Sequence, residues 1–208
     1  NGTHTTLDMS LDAAVAHFAD SQLRQLAPHE SLAIIIADAH SRAIRAIYAG
    51  DWANPRRAGF LDLTRTIRSP GSALKPFLYG LAFGDGLARP DSRLRDLPHD
   101  FGGYAPDDYT GKFMGTVSAT TALRRSLNLP AIALIRRYGA QRFAADLASP
   151  GAPLTLPRNA APSLPLALGG AGISMRRLMA LYAALANDGQ VEALHLIAEP
   201  HPPGRRLL

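Results

Sequence analysis

The chain has 208 residues, a formal charge of +5, a pI near 10 and no cysteine. That length suits one domain with a core of its own, and the missing cysteine excludes disulfides and thiolate metal sites. The charge comes from arginines scattered in doublets such as Arg56-Arg57, Arg136-Arg137 and Arg176-Arg177; without a basic run or interleaved aromatics, no nucleic-acid partner is expected.

Along the chain, residues 10–26 place Leu11, Val15, Phe18 and Leu26 on one helical stripe with Asp12 in the first turn, which predicts a packing helix. The apolar run 32–37 and the β-favouring segment 43–48 flank Asp38-Ala39-His40-Ser41, a set of turn residues, so a β-hairpin follows. Next comes Arg68-Ser69-Pro70-Gly71-Ser72-Ala73-Leu74-Lys75-Pro76. Gly71 permits a tight turn and Pro76 fits the first helical turn. If Ser72 opens a helix, Lys75 lies on the same face and can point its amine at the Ser72 hydroxyl. A serine hydroxyl needs such a base to act as a nucleophile, and a helix N-terminus adds donors for a developing anion. The chain has only two lysines, Lys75 and Lys112, against twenty arginines. Arginine at position 75 would fail as a base because it cannot release its proton.

The helix after Ser72 should end at Gly84-Asp85-Gly86, and residues 90–115, rich in Pro, Gly and Asp, read as a long ordered loop in which Phe101, Tyr104 and Tyr109 either line a cleft or pin the loop to the body. Residues 118–130 read as a helix that runs into the turn Ser126-Leu127-Asn128 and is stopped by Pro130. Ser126 and Asn128 offer a hydroxyl and an amide that can face one cleft; taken alone they are also ordinary turn residues. Residues 149–165 form a Pro-rich connection. The cluster Gly169-Gly170-Ala171-Gly172 reads as close packing, because a phosphate cradle would need a Rossmann spacing that is not there. A final helix should close on Gly189 as its C-cap.

Ser72-Ala73-Leu74-Lys75, Ser126-Leu127-Asn128 and the segment Leu166 to Ser174 followed by Leu181 to Gly189 together resemble the class A penicillin-binding proteins, D,D-transpeptidases that share their first two motifs with serine β-lactamases. The resemblance runs from about Thr5 to the end. It implies an α+β fold of the β-lactamase and D,D-transpeptidase kind, an antiparallel sheet covered by helices, with residues 1–208 forming one partial domain. By the same resemblance, Ser72 is the nucleophile, Lys75 its base, Ser126 a proton relay and Asn128 an orienting group. The Ser72 N–H would be half of an oxyanion hole. Peptidoglycan stem peptides ending in D-alanyl-D-alanine and β-lactams are the implied partners, with no cofactor. The resemblance also implies a periplasmic, inner-membrane-anchored protein. No apolar stretch is long enough to cross a bilayer and no leader pattern opens the sequence, so the anchor is expected outside this segment. The seven histidines lack metal-ligand spacing, and no metal site is expected.

The family's third motif, Lys-Thr-Gly or Lys-Ser-Gly, does not occur; Thr110-Gly111-Lys112 has the wrong order. The chain is therefore expected to stop short of the strand that carries it, and catalysis by this segment alone is in question. A non-catalytic scaffold or β-lactam sensor is the alternative from another class. A β-lactamase is the enzymatic rival. Its deacylating glutamate has no counterpart here, since Glu30, Glu192 and Glu199 all lie outside the region between the second motif and the glycine cluster.

Overall fold

The computed structural model describes residues 3–52, 54–99, 113–198 and 204–207. The chain divides into two compact units: residues 1–68, 149–152 and 173–207 in the first, residues 69–148 and 153–172 in the second, with residue 208 assigned to the latter. Among the described residues, strands occur in four two-stranded antiparallel ladders, so the class is α+β.

In the first unit, helix α1 (Met9–Leu23) starts where Asp8 caps it, its carboxylate accepting the N–H groups of Ser10 and Leu11. Val15, Ala19 and Leu23 form its buried face. Phe18, expected on that face, is 55% exposed. The buried stripe uses the small Ala19 next to it, which lets α1 lie close to the hairpin of β1 (Ile34–Ala37) and β2 (Ile44–Tyr48). Asp12 lies in the first turn, as expected, and its Oδ1 accepts the Ile47 N–H of β2 at 2.9 Å, tying helix to strand. The hairpin turn is the predicted one, closed by Asp38 Oδ1 accepting from the backbone of His40 and Ser41.

That turn is held by Arg42, which is 2% exposed. Its Nη1 donates to the carbonyls of Ala39 and His40, and its Nη2 to that of Gln190 at 3.0 Å in strand β7, a two-residue strand Gln190–Val191. A guanidinium is suited to this because its donors diverge in a fixed plane. Helix α6 (Met175–Leu185) precedes β7, and Gly189, at φ +78°, donates its N–H to Ala184, as expected for the closing glycine. β7 pairs with β8 (Arg205–Arg206), and β3 (Ile67–Arg68) pairs with β6 (Ile173–Ser174). Just before β3, Asp62 accepts from the Thr64 hydroxyl and from Arg176 Nη2 at 3.1 Å, while Arg176 Nε donates to Thr64 Oγ1 at 2.9 Å.

The second unit is built on α2 (Lys75–Gly84) and α4 (Asn128–Tyr138). Phe77, Leu78, Tyr79 and Leu81 of the one pack with Leu129, Ile132, Leu134 and Ile135 of the other, all essentially buried. Helix α5 (Ala140–Ala148) contributes Phe143 and Leu147 to that core. Tyr138 donates its hydroxyl to Asp146, and burial followed by that carboxylate pushes its phenol well above the usual range. Arg142 lies 4.6 Å over the Tyr138 ring and pairs with Asp85. The stretch expected to be a loop begins and ends in strands: β4 (Arg93–Asp96) pairs with β5 (Gly115–Ser118), a charged ladder whose sequence carries little apolar signal. Phe101, Tyr104 and Tyr109 lie outside the described residues.

Truncating Arg42 removes a donor from the carbonyls of Ala39, His40 and Gln190, of which Ala39 still accepts from Asn187 Nδ2 at 2.6 Å, so Arg42→Ala should lower unfolding stability by about 2–3 kcal/mol in urea titrations. Asp62 supplies a pH dependence. Burial opposes its ionisation, but Thr64 and Arg176 outweigh that and hold its carboxyl below the ordinary aspartate value of 3.8. The unfolded chain then binds the proton more readily, so this stabilisation is present above that value and lost as pH falls through the lower folded one. Asp62→Asn should be less stable at pH 7 and show a flatter acid limb in thermal melts from pH 7 to 2.

Candidate active site

Gly71, at φ +55°, turns the chain after Pro70, and residues Gly71–Leu74 form one 3-10 turn that continues into α2. Ser72 therefore stands in the turn ahead of the α-helix, and its carbonyl accepts the Lys75 N–H. That places serine and lysine on one turn, as the spacing predicts. Ser72 is exposed, whereas Lys75 is 1% exposed.

The Lys75 amine runs into the second motif. Its Nζ lies 2.6 Å from the Ser126 carbonyl oxygen, 2.8 Å from Asn128 Oδ1 and 3.3 Å from Ser126 Oγ. The geometry of the 126–128 turn explains why both motif residues reach one atom. Helix α3 (Ala119–Arg124) closes with Ser126 N–H donating to Leu123 and Leu127 N–H to Ala122, the paired bonds of a Schellman motif. The position that usually takes glycine there is Ser126, at φ +55°. A non-glycine residue in this region stores strain of about 1–3 kcal/mol, and here it turns the Ser126 carbonyl toward Lys75. Asn128 is then the first residue of α4. Pro130 does not stop a helix, as the sequence suggested; it occupies the first turn of α4, where its missing N–H has no intrahelical partner to lose.

A third segment supports the Ser72 turn, and sequence reasoning did not find its partner. Ser69 Oγ donates to the Gly169 carbonyl at 2.7 Å and accepts the Gly71 N–H at 3.3 Å. Gly169, at φ +85°, lies so close that a Cβ there would fall 2.3 Å from the Gly71 nitrogen and 2.5 Å from its Cα. The glycine cluster is thus a close-packing element, and what it packs on is the backbone of the Ser72 turn. The doubled glycine was the visible signal; its contact, a hundred residues away, was not. Lys75, Ser126 and Asn128 are joined through one amine, Ser72 shares the Lys75 turn, and Ser69 and Gly169 brace that turn from behind.

Comparison with known proteins gives the family. The family description for the penicillin binding protein transpeptidase domain matches residues 32–206. The chain belongs to that family. It is 42% identical over 200 residues to penicillin-binding protein 1C of Escherichia coli (strain K12), covering 96% of this chain and 26% of that protein. Penicillin-binding protein 1B of Vibrio cholerae serotype O1 is 28% identical over 204 residues, covering 89% and 25%. Among solved structures, PonA1 of Mycobacterium tuberculosis in complex with penicillin V superposes with a TM-score of 0.79 at 24% identity, over 94% of this chain and 54% of that one. The fold is that of the β-lactamase and transpeptidase class. The chain spans about a quarter of the length of the curated relatives it matches.

Gly169→Ala should destabilise the protein by about 2–4 kcal/mol, through overpacking against Gly71 and a left-handed alanine. Gly84→Ala, which meets nothing within 4 Å, is the control expected to leave the melting temperature unchanged or slightly raised.

Proposed function

We propose that the site built on Ser72 carries out serine acyl transfer on peptidoglycan stem peptides ending in D-alanyl-D-alanine, and that β-lactams acylate it as substrate mimics. The observation that carries this reading is the convergence of Ser126 O, Ser126 Oγ and Asn128 Oδ1 on Lys75 Nζ. Family membership supports the same chemistry. In this reading Ser72 Oγ attacks the carbonyl carbon of the penultimate D-alanine and its proton passes to neutral Lys75. Collapse of the tetrahedral intermediate breaks the amide bond. The departing D-alanine takes a proton through Ser126, and an amine of a neighbouring strand then displaces Ser72 from the ester. Asn128 holds both the Lys75 amine and the substrate amide, and the Ser72 N–H faces the developing oxyanion. With a β-lactam, the broken C–N bond lies in a ring, so the leaving nitrogen stays attached and the acyl-enzyme persists.

Residues 1–208 belong, in this reading, to one transpeptidase domain, since the family match runs through both units. An envelope location follows from the proposed substrate. Among the described residues no helix is long and apolar enough to cross a membrane. A non-catalytic β-lactam sensor, which also acylates, is separated from a transpeptidase by the second step.

Intact-protein mass after incubation with penicillin tests the first step. The full-length protein should gain one stoichiometric adduct that is absent in Ser72→Ala. Lys75→Arg, which cannot take a proton, should acylate about a hundredfold to ten-thousandfold more slowly. A full-length protein that remains unmodified, or that carries the adduct in Ser72→Ala, overturns the assignment. Transfer of a stem-peptide acyl group to an added amine distinguishes the transpeptidase from the sensor.

A further inference from the structure

The first unit holds a cavity of about 510 Å³ that the acyl-transfer chemistry does not use. Arg65, Arg176 and Arg177 are among its lining residues, and its apolar lining includes Ile67, Val191 and Leu194. A smaller hollow of about 190 Å³ shares Pro150, Gly151, Val191, Glu192 and Ala193 with it and adds Arg205, so the two form one groove. The groove thus brings four arginines together with one acidic lining residue, Glu192, and Asp62 pairs with two of those arginines. Asp62 is already committed to Arg176, to Arg65 at 3.1 Å and to Thr64.

The arginines differ in how they are held. Arg176 is a fixed wall, 18% exposed and pinned through Thr64 and Asp62; burial first, and then the charge of Arg65, lower its pKa. Arg177, by contrast, is exposed, and its side chain makes no hydrogen bond or ion pair among the described residues. The groove therefore combines a preorganised cation, an uncommitted one and an apolar surface. A guanidinium matches a carboxylate bidentately, and the volume is far larger than a bare anion requires.

From this juxtaposition we propose that the groove of Arg65, Arg176, Arg177 and Arg205 is a binding site for a short peptide bearing free carboxylates, its apolar side chains against Ile67, Val191 and Leu194. The proposal is independent of the acylation reading. Arg177 and Arg205 take the carboxylates, and Arg176 sets the positive wall behind them.

Calorimetric titration of the full-length protein with N-acetyl-Val-Glu, its diamide and inorganic phosphate tests this. The dicarboxylate should bind, weaken with added salt, and lose about tenfold or more in affinity in Arg177→Gln and again in Arg205→Gln. Both substitutions lie at exposed positions, and circular dichroism checks that each variant is folded. Binding should survive Ser72→Ala, which separates this groove from the acylation site. Equal affinity for the diamide, binding unchanged in both arginine variants, loss of binding in Ser72→Ala or no binding at millimolar peptide would each overturn the proposal. Phosphate binding as tightly as the dicarboxylate would reduce the groove to a general anion site and overturn the peptide assignment.

Discussion

Burying an amine is expensive unless oxygen acceptors surround it, and the second unit is organised around meeting that requirement for Lys75. The helix that carries Lys75 is apolar on nearly every side, with Leu74, Phe77, Leu78, Tyr79 and Leu81 all buried, so the side chain has no route to bulk water along its own helix. Its acceptors come from the junction of α3 and α4. That junction must present a main-chain carbonyl, a hydroxyl and an amide oxygen within three residues. A Schellman closure followed directly by a new helix does so, because it exposes the carbonyl at the left-handed position and fixes Asn128 on the first turn of α4. The left-handed serine at 126 is the local cost of that geometry, offset by the bond its carbonyl makes at 2.6 Å.

The turn that holds Ser72 needs a different kind of support. A 3-10 turn of four residues has few internal bonds and poor geometry, yet this one carries the exposed Ser72 directly ahead of the buried Lys75. Ser69 and Gly169 support it by removing freedom from behind: one hydroxyl bonds both sides of the gap, and one glycine allows backbone to lie on backbone. The two contacts reinforce one another, since a side chain at 169 would push the segments apart and break the Ser69 bond.

Much of this was legible in sequence where the cause is local. The hairpin followed from an apolar run and an Asp-initiated turn, the Ser72 turn from Gly71 and Pro76, and the closing glycine of α6 from its position. The family, too, could be read from Ser-x-x-Lys and Ser-x-Asn in their surroundings. Readings failed where one residue type serves two purposes. Pro130 ends helices and also begins them, and only the bonds of Ala122 and Leu123 show that the helix had already closed at 125. Phe18 sits at a helical spacing from Val15, but the hairpin comes close enough that Ala19 is buried in its place. The β4–β5 ladder was hidden because Arg93, Arg95 and Asp96 give no apolar alternation. The contacts of Gly169 with Gly71 and of Arg42 with Gln190 join residues about a hundred or more apart, and no periodicity encodes them.

The choice of lysine at position 75, in a chain that otherwise uses arginine, follows from hydrogen-bond counting. A guanidinium carries five N–H groups in a plane and has no lone pair to offer. A neutral amine has two N–H groups and one lone pair arranged tetrahedrally. The two short contacts of Nζ, to Ser126 O and Asn128 Oδ1, are to oxygens that only accept, and they use both N–H groups. The lone pair is then left for a hydroxyl proton. The longer 3.3 Å contact to Ser126 Oγ is with a group that can either give or take one. In the proposed acyl transfer, the same lone pair that receives the Ser72 proton can thus pass it on through Ser126 without the amine changing its two fixed bonds. In that reading two acceptors lock the amine in orientation and one hydroxyl carries the proton, a division of labour that arginine cannot reproduce.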